Sequence, residues 1–410
     1  MTDAERAKLT TIQAMIGELL ATAPSYPLIT NVADFDKALA EAATGATLRL
    51  SNGFAYDKLL DVTKPINIIG ETSGLGRIGM KDPAPMFAAG ARLRSDDITL
   101  LGLELRHVVT TTDIVGNVGA RLVMDRCRVL GDPLKGAKRG IAANGAGAQA
   151  FRRCYVADIF QPAQDTQAIC AWDCEPGITI EDCYLEAAGQ SFMAGGADSS
   201  SEERSPSQIR IVGSHLTKNP LWFGMKQQIK CALELKNATE VEVDDCILEY
   251  GGISQGQGAY LIVVTPRNQG GKAPWSAVGD VVISDCTGGH AGGIMNVLGS
   301  DNNAPSGIVE NVTLQHSTFD NIDPKGITLG SGRLFMFDRA PKGVTLSDIK
   351  VSGQNIAALG YFDGAMPVGL VVNKMILPPS KYGWKIDGGG AGRKALLAAM
   401  PDAQLDDTVI

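Results

Sequence analysis

The stretch Ile178-Thr179-Ile180-Glu181-Asp182-Cys183-Tyr184-Leu185 contains the pattern that decides the fold. Apolar residues alternate with polar ones, two acidic residues interrupt the alternation, and a second short alternation begins at the cysteine. Alternation with a period of two predicts a strand that buries one face. The two acidic residues predict a bend, after which a second short strand again points inward.

The same pattern recurs ten times along the chain, at intervals that vary from the short one between Leu103 and Cys127 to the long one between Cys246 and Cys286. Repeats of this kind cannot bury their apolar face alone and are stable only when stacked. We therefore predict an all-β fold, a single-stranded right-handed parallel β-helix of about ten or more coils. The first inward residue after each bend is Leu103, Cys127, Cys154, Cys183, Ser214, Cys246, Cys286, Ser317, Ile349 or Met375.

Five of the eight cysteines occupy this one inward position. The pattern favours an interior ladder of small, polarisable side chains. Zinc binding is a weaker alternative, because the chain has no Cys-x-x-Cys pair. Disulfides between neighbouring coils stay open at this point, since stacked positions lie about 4.8 Å apart, within the range that a disulfide allows.

Four segments are predicted along the chain: an N-terminal helix over 1–23, a capping segment over 24–46, the β-helix over 47–382, and a C-terminal cap and tail over 383–410. The first helix opens with the capping box Thr2-Asp3-Ala4-Glu5. Its apolar residues are spaced as in a coiled coil, which favours a homotrimer; docking on the cap or on another protein is the alternative. The capping segment is expected to hold a helix over 32–43, and the C-terminal cap a short helix over 394–400.

Composition excludes some classes of function. The formal net charge of −8 argues against binding to nucleic acid. No run of 18 apolar residues is present, so membrane insertion is not expected. The first residues lack a secretory signal, and assembly in a cytoplasm is therefore expected.

The longest interval between repeats carries the amide-rich and glycine-rich loops 251–258 and 265–275. Loops on a rigid scaffold often carry binding sites. Sugar recognition needs flat aromatic faces together with amides and charges, a mixture that this region offers. We predict a glycan-binding groove that contains Trp222, Lys226, Asn237, Asn268, Gln269, Trp275 and Asn296. The alternative is that Glu234, Lys236 and Arg267 form ion pairs on a solvated face.

Candidate catalytic residues in the same region are Glu234, Lys236, Arg267, His290 and Asp301. Hydrolysis of a glycosidic bond requires two carboxylates, for which Glu234 and Asp301 are candidates. A lyase would need a base and often calcium. Asp244 and Asp245 could be calcium ligands, but acidic residues are expected at a bend in any case, so no metal or cofactor is predicted.

Residues 205–323 resemble the bacterial right-handed parallel β-helix repeat proteins of the pectate-lyase-like superfamily. The resemblance rests on the stretches 232–238, 265–269, 273–275 and 292–296. It implies the same fold, and it implies a polysaccharide lyase or glycoside hydrolase as one alternative for function.

A helix followed by a solenoid is also similar to bacteriophage tailspikes and capsid or neck appendages. This resemblance implies a trimeric virion appendage that assembles in the host cytoplasm. Such a protein would attach to other virion proteins through its N-terminal helix and bind, and in some cases cleave, bacterial surface polysaccharide. A purely structural spacer or decoration protein is a further alternative, as is a cytoplasmic location.

Overall fold

The computed structural model describes residues 27–71, 82–132, 134–225 and 228–406. Their regular structure consists almost entirely of short strands that wind into one parallel β-helix. Each strand pairs in parallel with its counterpart in the next coil, as Ile178–Glu181 does with Ser207–Val212. The predicted all-β parallel β-helix is confirmed. The helix predicted over 1–23 lies outside the described residues.

Each coil contributes a strand to each of three faces, and we number the strands in chain order. The first face contains β1 (Ala46–Leu50), β4 (Ile66–Gly70), β7 (Ile98–Leu101), β10 (Leu122–Asp125), β13 (Gln149–Arg152), β16 (Ile178–Glu181), β19 (Ser207–Val212), β22 (Ala238–Asp244), β25 (Val278–Ser284), β28 (Val309–Ile322), β30 (Lys342–Gly353), β32 (Val371–Ile376) and β34 (Gln404–Leu405).

The second face follows the bend. It contains β2 (Ala55–Tyr56), β5 (Met86–Phe87), β8 (Glu104–Leu105), β11 (Arg128–Leu130), β14 (Tyr155–Ile159), β17 (Tyr184–Ala187), β20 (His215–Thr217), β23 (Ile247–Glu249) and β26 (Thr287–Ala291). Strands β28 and β30 run through the bend and supply both faces, so the first two faces form one continuous 22-stranded sheet.

The third face is a separate sheet of twelve strands within the described residues. It contains β3 (Leu60–Val62), β6 (Ala91–Leu93), β9 (Thr111–Asn117), β12 (Ala137–Ala143), β15 (Gln167–Ala171), β18 (Gln190–Ala194), β21 (Leu233–Leu235), β24 (Tyr260–Val264), β27 (Gly293–Leu298), β29 (Arg333–Asp338), β31 (Ala358–Asp363) and β33 (Trp384–Ile386). Strands β1 to β6 form coils ahead of the first repeat that the sequence pattern indicated.

The bend between the first and second faces has the same backbone conformation in all ten predicted repeats. The residue just before the inward position has a positive φ, between 49° and 66°. Most of these residues carry a side chain, although the left-handed region costs an L-residue about 1–2 kcal/mol. They are Gly102, Arg126, Arg153, Asp182, Gly213, Asp245, Asp285, His316, Asp348 and Lys374.

The inward position after the bend forms the predicted ladder. Its five cysteines are buried free thiols, and the other three cysteines of the chain are also buried and free. The backbone N–H of Cys154 donates to Sγ of Cys183 in the next coil at 3.4 Å. The predicted interior ladder is confirmed. Its cysteines are free thiols, so the alternative of disulfides between neighbouring coils is not what the structure contains. No group of three or more metal-ligating side chains occurs among the described residues.

Helix α1 (Val32–Glu41) closes the N-terminal end of the core. The side chain of its N-cap residue Asn31 accepts a hydrogen bond from the backbone N–H of Asp34 at 2.9 Å. Phe35 packs edge-on against Tyr56 and Phe54, with ring centroids 5.1 and 5.2 Å away. An aromatic cluster therefore covers the first coil, where an open solenoid end would expose apolar residues.

The C-terminal end contains helix α2 (Arg393–Ala399). Strand β33 pairs with β31, and β34 pairs with β32, so the sheets continue beyond residue 382, where the cap was predicted to begin. Within the described part of the chain, no helix has the length and apolar character needed to cross a membrane.

Candidate functional site

The residues predicted to form one groove lie on both edges of the third sheet. Strand β27 runs across this sheet between His290 and Asp301, so these two residues lie at opposite edges. Arg267 lies with Asp301, since its Nη1 is 2.6 Å from Asp301 Oδ1. His290 therefore belongs to a different surface from Arg267 and Asp301, and the predicted groove is not a single site.

Arg267, Asn268 and Asp301 tie two loops together. Oδ2 of Asp301 accepts from the backbone N–H of Asn268 at 2.9 Å, and the buried amide of Asn268 donates to the Pro305 carbonyl at 2.8 Å. Burial opposes ionisation of Asp301, but hydrogen bonds from the backbone of Asn303 and Asn268 and from Arg267 hold its pKa below the ordinary value. These contacts hold the two loops together, so the three side chains have a structural role. Gln269 beside them is exposed.

Glu234 and Lys236 point outward from the third sheet, yet they are only 2% and 9% exposed. Oε2 of Glu234 lies 3.3 Å from Nζ of Lys236 and 3.9 Å from Nζ of Lys230, which also lies 2.9 Å from Oδ2 of Asp165. We call Asp165, Lys230, Glu234 and Lys236 the buried charge cluster.

Two amides complete the surroundings of Glu234. Gln257 Nε2 donates to its Oε1 at 3.1 Å, and Gln190 Nε2 donates to its Oε2. Burial raises the pKa of Glu234, but Lys236 and Lys230 outweigh this effect and hold it below the ordinary value. The carboxylate is thus ionised and surrounded by protein groups, an arrangement that stabilises the loops over the third sheet.

Two other predicted residues serve packing. Trp222 is 6% exposed and packs on Phe160, with ring centroids 6.2 Å apart, so its faces are not open to a sugar. The ring of His290 stacks on Tyr250 at 5.0 Å. Asn296 is half-buried on the third sheet, beside Val263 of the preceding coil. Lys226 lies outside the described residues.

The outer surface of the second face carries a row of rings that was not predicted. Tyr155, Tyr184 and His215 occupy one column in three successive coils. The tyrosine rings are stacked, with centroids 4.6 Å apart, and the imidazole meets Tyr184 edge-on at 5.3 Å. We call this surface, with Glu186 and Glu249, the tyrosine–glutamate face.

The two glutamates share a second column. Glu186 pairs with Thr217 of the next coil, and Glu249 directly follows Leu248, the partner of Leu216, so it lies opposite Thr217 one coil further on. Two coil spacings separate the Cα atoms by about 9.6 Å. Alignment of the repeats in the sequence predicts that the two glutamates share a column, because each stands three residues after the first inward position of its repeat.

The surroundings of the two carboxyl groups differ. Glu186 accepts from the Asp158 backbone N–H at 3.1 Å and from the Tyr184 hydroxyl at 3.0 Å, and burial raises its pKa. Oε2 of Glu249 lies 2.7 Å from Nε2 of His215 and accepts from the Thr217 hydroxyl at 3.2 Å. The His215 contact, the largest effect, lowers the pKa of Glu249.

A cleft of about 510 Å³ opens at the corner between the third and first faces, and we call it the corner cleft. It includes two of the predicted glycan-binding residues, Trp275 and Asn237. The indole N–H of Trp275 donates to Ser199 Oγ at 2.9 Å, and the amide of Asn237 donates to Ser205 Oγ at 3.0 Å, so both side chains are held in place. The other lining residues are Glu175, Pro176, Glu202, Glu203, Arg204, Ser205, Ser207, Thr239 and Ala277.

No family model matches this sequence, and no curated protein matches it. Several solved structures are similar to it. They include the Dettilon tailspike protein (12% identity, TM-score 0.46, covering 86% of this chain and 64% of that one). An α-1,3-glucanase from Streptomyces thermodiastaticus is 14% identical, with a TM-score of 0.42 over 92% of this chain and 67% of that one. An alginate lyase from a Paenibacillus species is 10% identical, with a TM-score of 0.36 over 88% and 98%.

Proposed function

We propose that this protein binds a polysaccharide in the corner cleft. The observation that supports the proposal is the half-buried indole of Trp275 in a cleft of about 510 Å³. Ligand sites in proteins commonly have volumes of roughly 300–1,000 Å³. An indole face suits the C–H surface of a sugar ring, and the hydroxyls of Ser207 and Thr239 suit its hydroxyl groups.

Rigidity favours binding at this position. The cleft lies on stacked strands, and Trp275 and Asn237 already have hydrogen-bond partners that fix their orientation. A preformed site loses little side-chain entropy when a flexible glycan binds. The cleft can therefore bind a polymer without rearrangement of the scaffold.

The setting we propose is a bacteriophage virion appendage that binds bacterial surface polysaccharide as a homotrimer, attached through residues 1–23. Exposed apolar residues support self-association, since such patches are typical of protein contacts. Ten of them lie on the loops that join the second and third faces: Leu59, Val108, Val109, Leu134, Leu221, Met225, Ile253, Ile327, Leu329 and Tyr382. Light scattering should give three times the mass of one chain, and Leu134→Asp with Leu221→Asp should lower that mass; a monomeric wild type would contradict the trimer.

Binding can be tested by calorimetry with capsular and lipopolysaccharide glycans. Trp275→Ala should weaken the affinity for a bound glycan at least tenfold, because the stacking surface is lost. Tyr250→Ala is the matched control, since it removes a half-buried aromatic ring that packs on His290, away from the cleft. Equal affinities of the Trp275→Ala variant and the wild type would contradict the proposal.

A second candidate function is hydrolysis of a glycosidic bond at the tyrosine–glutamate face. Carboxyl groups in inverting glycosidases are about 6.5–9.5 Å apart. Two coil spacings place the Cα atoms of Glu186 and Glu249 about 9.6 Å apart, so a carboxyl separation within this range requires only a small inclination of the two side chains toward each other. Their environments shift the two pKa values in opposite directions, as an acid and a base require. The stacked rings of Tyr155 and Tyr184 provide a platform for a sugar.

In this reaction protonated Glu186 donates its proton to the glycosidic oxygen as the bond to the anomeric carbon breaks. Glu249 takes a proton from a water molecule, whose oxygen forms the new bond to that carbon from the opposite side. Nε2 of His215 and the Thr217 hydroxyl keep Glu249 ionised. The product has an inverted configuration and a new reducing end.

The hydrolysis candidate is tested by incubating the protein with the same glycans and assaying for new reducing or unsaturated chain ends. Reducing ends should appear with the wild type and disappear with Glu186→Gln and Glu249→Gln, while Trp275→Ala keeps activity on short substrates. Unsaturated ends would instead indicate a lyase. If no ends of either kind form while binding persists, the protein is a binding appendage; if there is neither binding nor cleavage, the structural spacer is favoured.

A further inference from the structure

The charged groups of the corner cleft are unbalanced. Arg204 is the one cationic residue that lines the described cleft, and its guanidinium is held by Asp173, with Nε 3.1 Å from Oδ1 and Nη2 donating to the backbone carbonyl at 2.6 Å. Glu175, Glu202 and Glu203 are exposed, and no ion pair of theirs occurs within the described ranges. Three exposed glutamates therefore line the cleft.

Glu203 is held in its ionised form. Its own backbone N–H and the Ser201 hydroxyl donate to the carboxylate and lower its pKa. The carboxylate remains charged at neutral pH, as do those of ordinary exposed glutamates. A glycan rich in uronic acid would be repelled here, and the net charge of −8 adds to that repulsion.

Trp275 also favours a cationic ligand. The face of an indole attracts an ammonium group, and among aromatic rings it does so most strongly. A neutral sugar gains only the contact with its C–H surface, whereas an amino sugar gains the attraction of the ring and of the nearby carboxylates. The aromatic ring and the acidic groups thus favour one class of ligand.

We infer that the corner cleft selects a glycan that carries free ammonium groups, such as a de-N-acetylated hexosamine polymer. This inference rests on the proposed function, because it names the substrate class of the same site. The acidic residues supply charge selectivity, and Trp275 supplies the sugar platform.

Calorimetry with two probes of equal length tests the inference: a glucosamine hexamer with free amines and its fully N-acetylated counterpart. The free-amine hexamer should bind at least tenfold more tightly, and the difference should shrink at high salt, which screens exposed charges. Glu202→Gln with Glu203→Gln should remove most of the difference. Glu41→Gln with Glu71→Gln also removes two charges, from exposed positions near the N-terminal end and far from the cleft, and should leave the difference unchanged.

The possible failures are distinguishable. Equal affinities for the two hexamers, both weakened by Trp275→Ala, would overturn the ammonium selectivity and leave polysaccharide binding intact. If neither hexamer and no neutral or acidic glycan binds, the selectivity and the proposed function both fail. Selective binding that persists in the Glu202→Gln, Glu203→Gln variant would place the ammonium elsewhere and overturn the inference.

Discussion

The side-chain oxygen of Ser214 accepts a hydrogen bond from the backbone N–H of Cys183 at 3.0 Å. The two residues occupy the inward position of successive coils, and the same contact joins Cys286 N–H to Ser317 Oγ at 3.2 Å. One coil earlier, Sγ of Cys183 accepts from the N–H of Cys154. Serine and cysteine are thus equivalent members of one ladder that satisfies buried N–H groups left free by the bend.

Replacement of Ser214 tests this role. Ser214→Ala leaves the buried N–H of Cys183 without its acceptor, which should lower the free energy of unfolding by about 1–3 kcal/mol. Ser214→Cys restores an acceptor of the kind found at Cys183, and most of the loss should be recovered. Urea unfolding measures both variants. Equal losses for the two would show that the ladder acts through side-chain volume alone.

The buried charge cluster predicts a large loss on removal of its central anion. Glu234→Ala leaves Lys236 without a partner in a buried site, and breaking a buried pair in this way costs about 3–5 kcal/mol. Glu310→Ala is the matched control, because its ion pair with Lys342 is half-exposed and such pairs contribute at most about 1 kcal/mol. Denaturant unfolding of both variants should separate them; similar losses would contradict the assignment of Glu234 to a stabilising cluster.

Asp285 is exposed and occupies the bend with a φ of 52°. This conformation should decide which substitutions at the position preserve stability. Asp285→Gly should change stability by less than ~1 kcal/mol, because glycine adopts this conformation easily but loses more chain entropy on folding. Asp285→Val should cost about 1–2 kcal/mol, since a branched side chain is strained there. Thr287→Val, two residues later in extended strand β26, should change thermal stability little. If the two valine variants behave alike, the bend does not depend on its left-handed residue.

The contributions of Glu186 and Glu249 to the free energy of unfolding should depend on pH in opposite directions. The pKa of Glu249 is lowered by folding, so its contribution is present above the unfolded value and is lost as the pH falls through the folded value. The pKa of Glu186 is raised by burial, so its contribution is present at low pH and is lost as the pH rises through the folded value.

At pH 7 we therefore expect Glu249→Gln to lower the free energy of unfolding and Glu186→Gln to raise it. The difference for Glu186 should shrink as the pH falls below the unfolded value, whereas the difference for Glu249 should shrink only as the pH falls through its lowered folded value. Urea titrations at pH 7 and at low pH provide the measurement. A Glu186→Gln variant that is less stable than the wild type at pH 7 would contradict the effect of burial.

Much of the fold could be predicted because its signals are local. The alternation around Cys183, and its return at Cys246 and Cys286, identifies inward positions without knowledge of any distant contact. The β-helix was predicted from residue 47, but its repeat pattern is recognisable only from Ile98, because strands such as β2 and β5 contain two residues each, too few for a periodic signal. The left-handed bend was missed because arginine, aspartate and histidine occupy it more often than glycine.

The site was harder to predict. Trp275 and Asn237 were selected for their chemistry and do line the corner cleft, while Trp222 and Glu234 were selected for the same reason and are covered by loops. Residue type alone does not indicate whether a loop folds back over a sheet. The tyrosine–glutamate face went unrecognised because Glu186 and Glu249 are 63 positions apart in sequence (249 less 186).

The amino-acid sequence alone determined the parallel β-helix and the set of inward side chains, because burial of an alternating apolar face leaves a repeated chain one stable arrangement, the stack of coils. Only the tertiary structure decided which outward side chains meet. Tyr155, Tyr184 and His215 become neighbours, and Trp275 joins Glu203 at one corner, because stacking at about 4.8 Å brings together residues whose separation along the chain depends on variable loops.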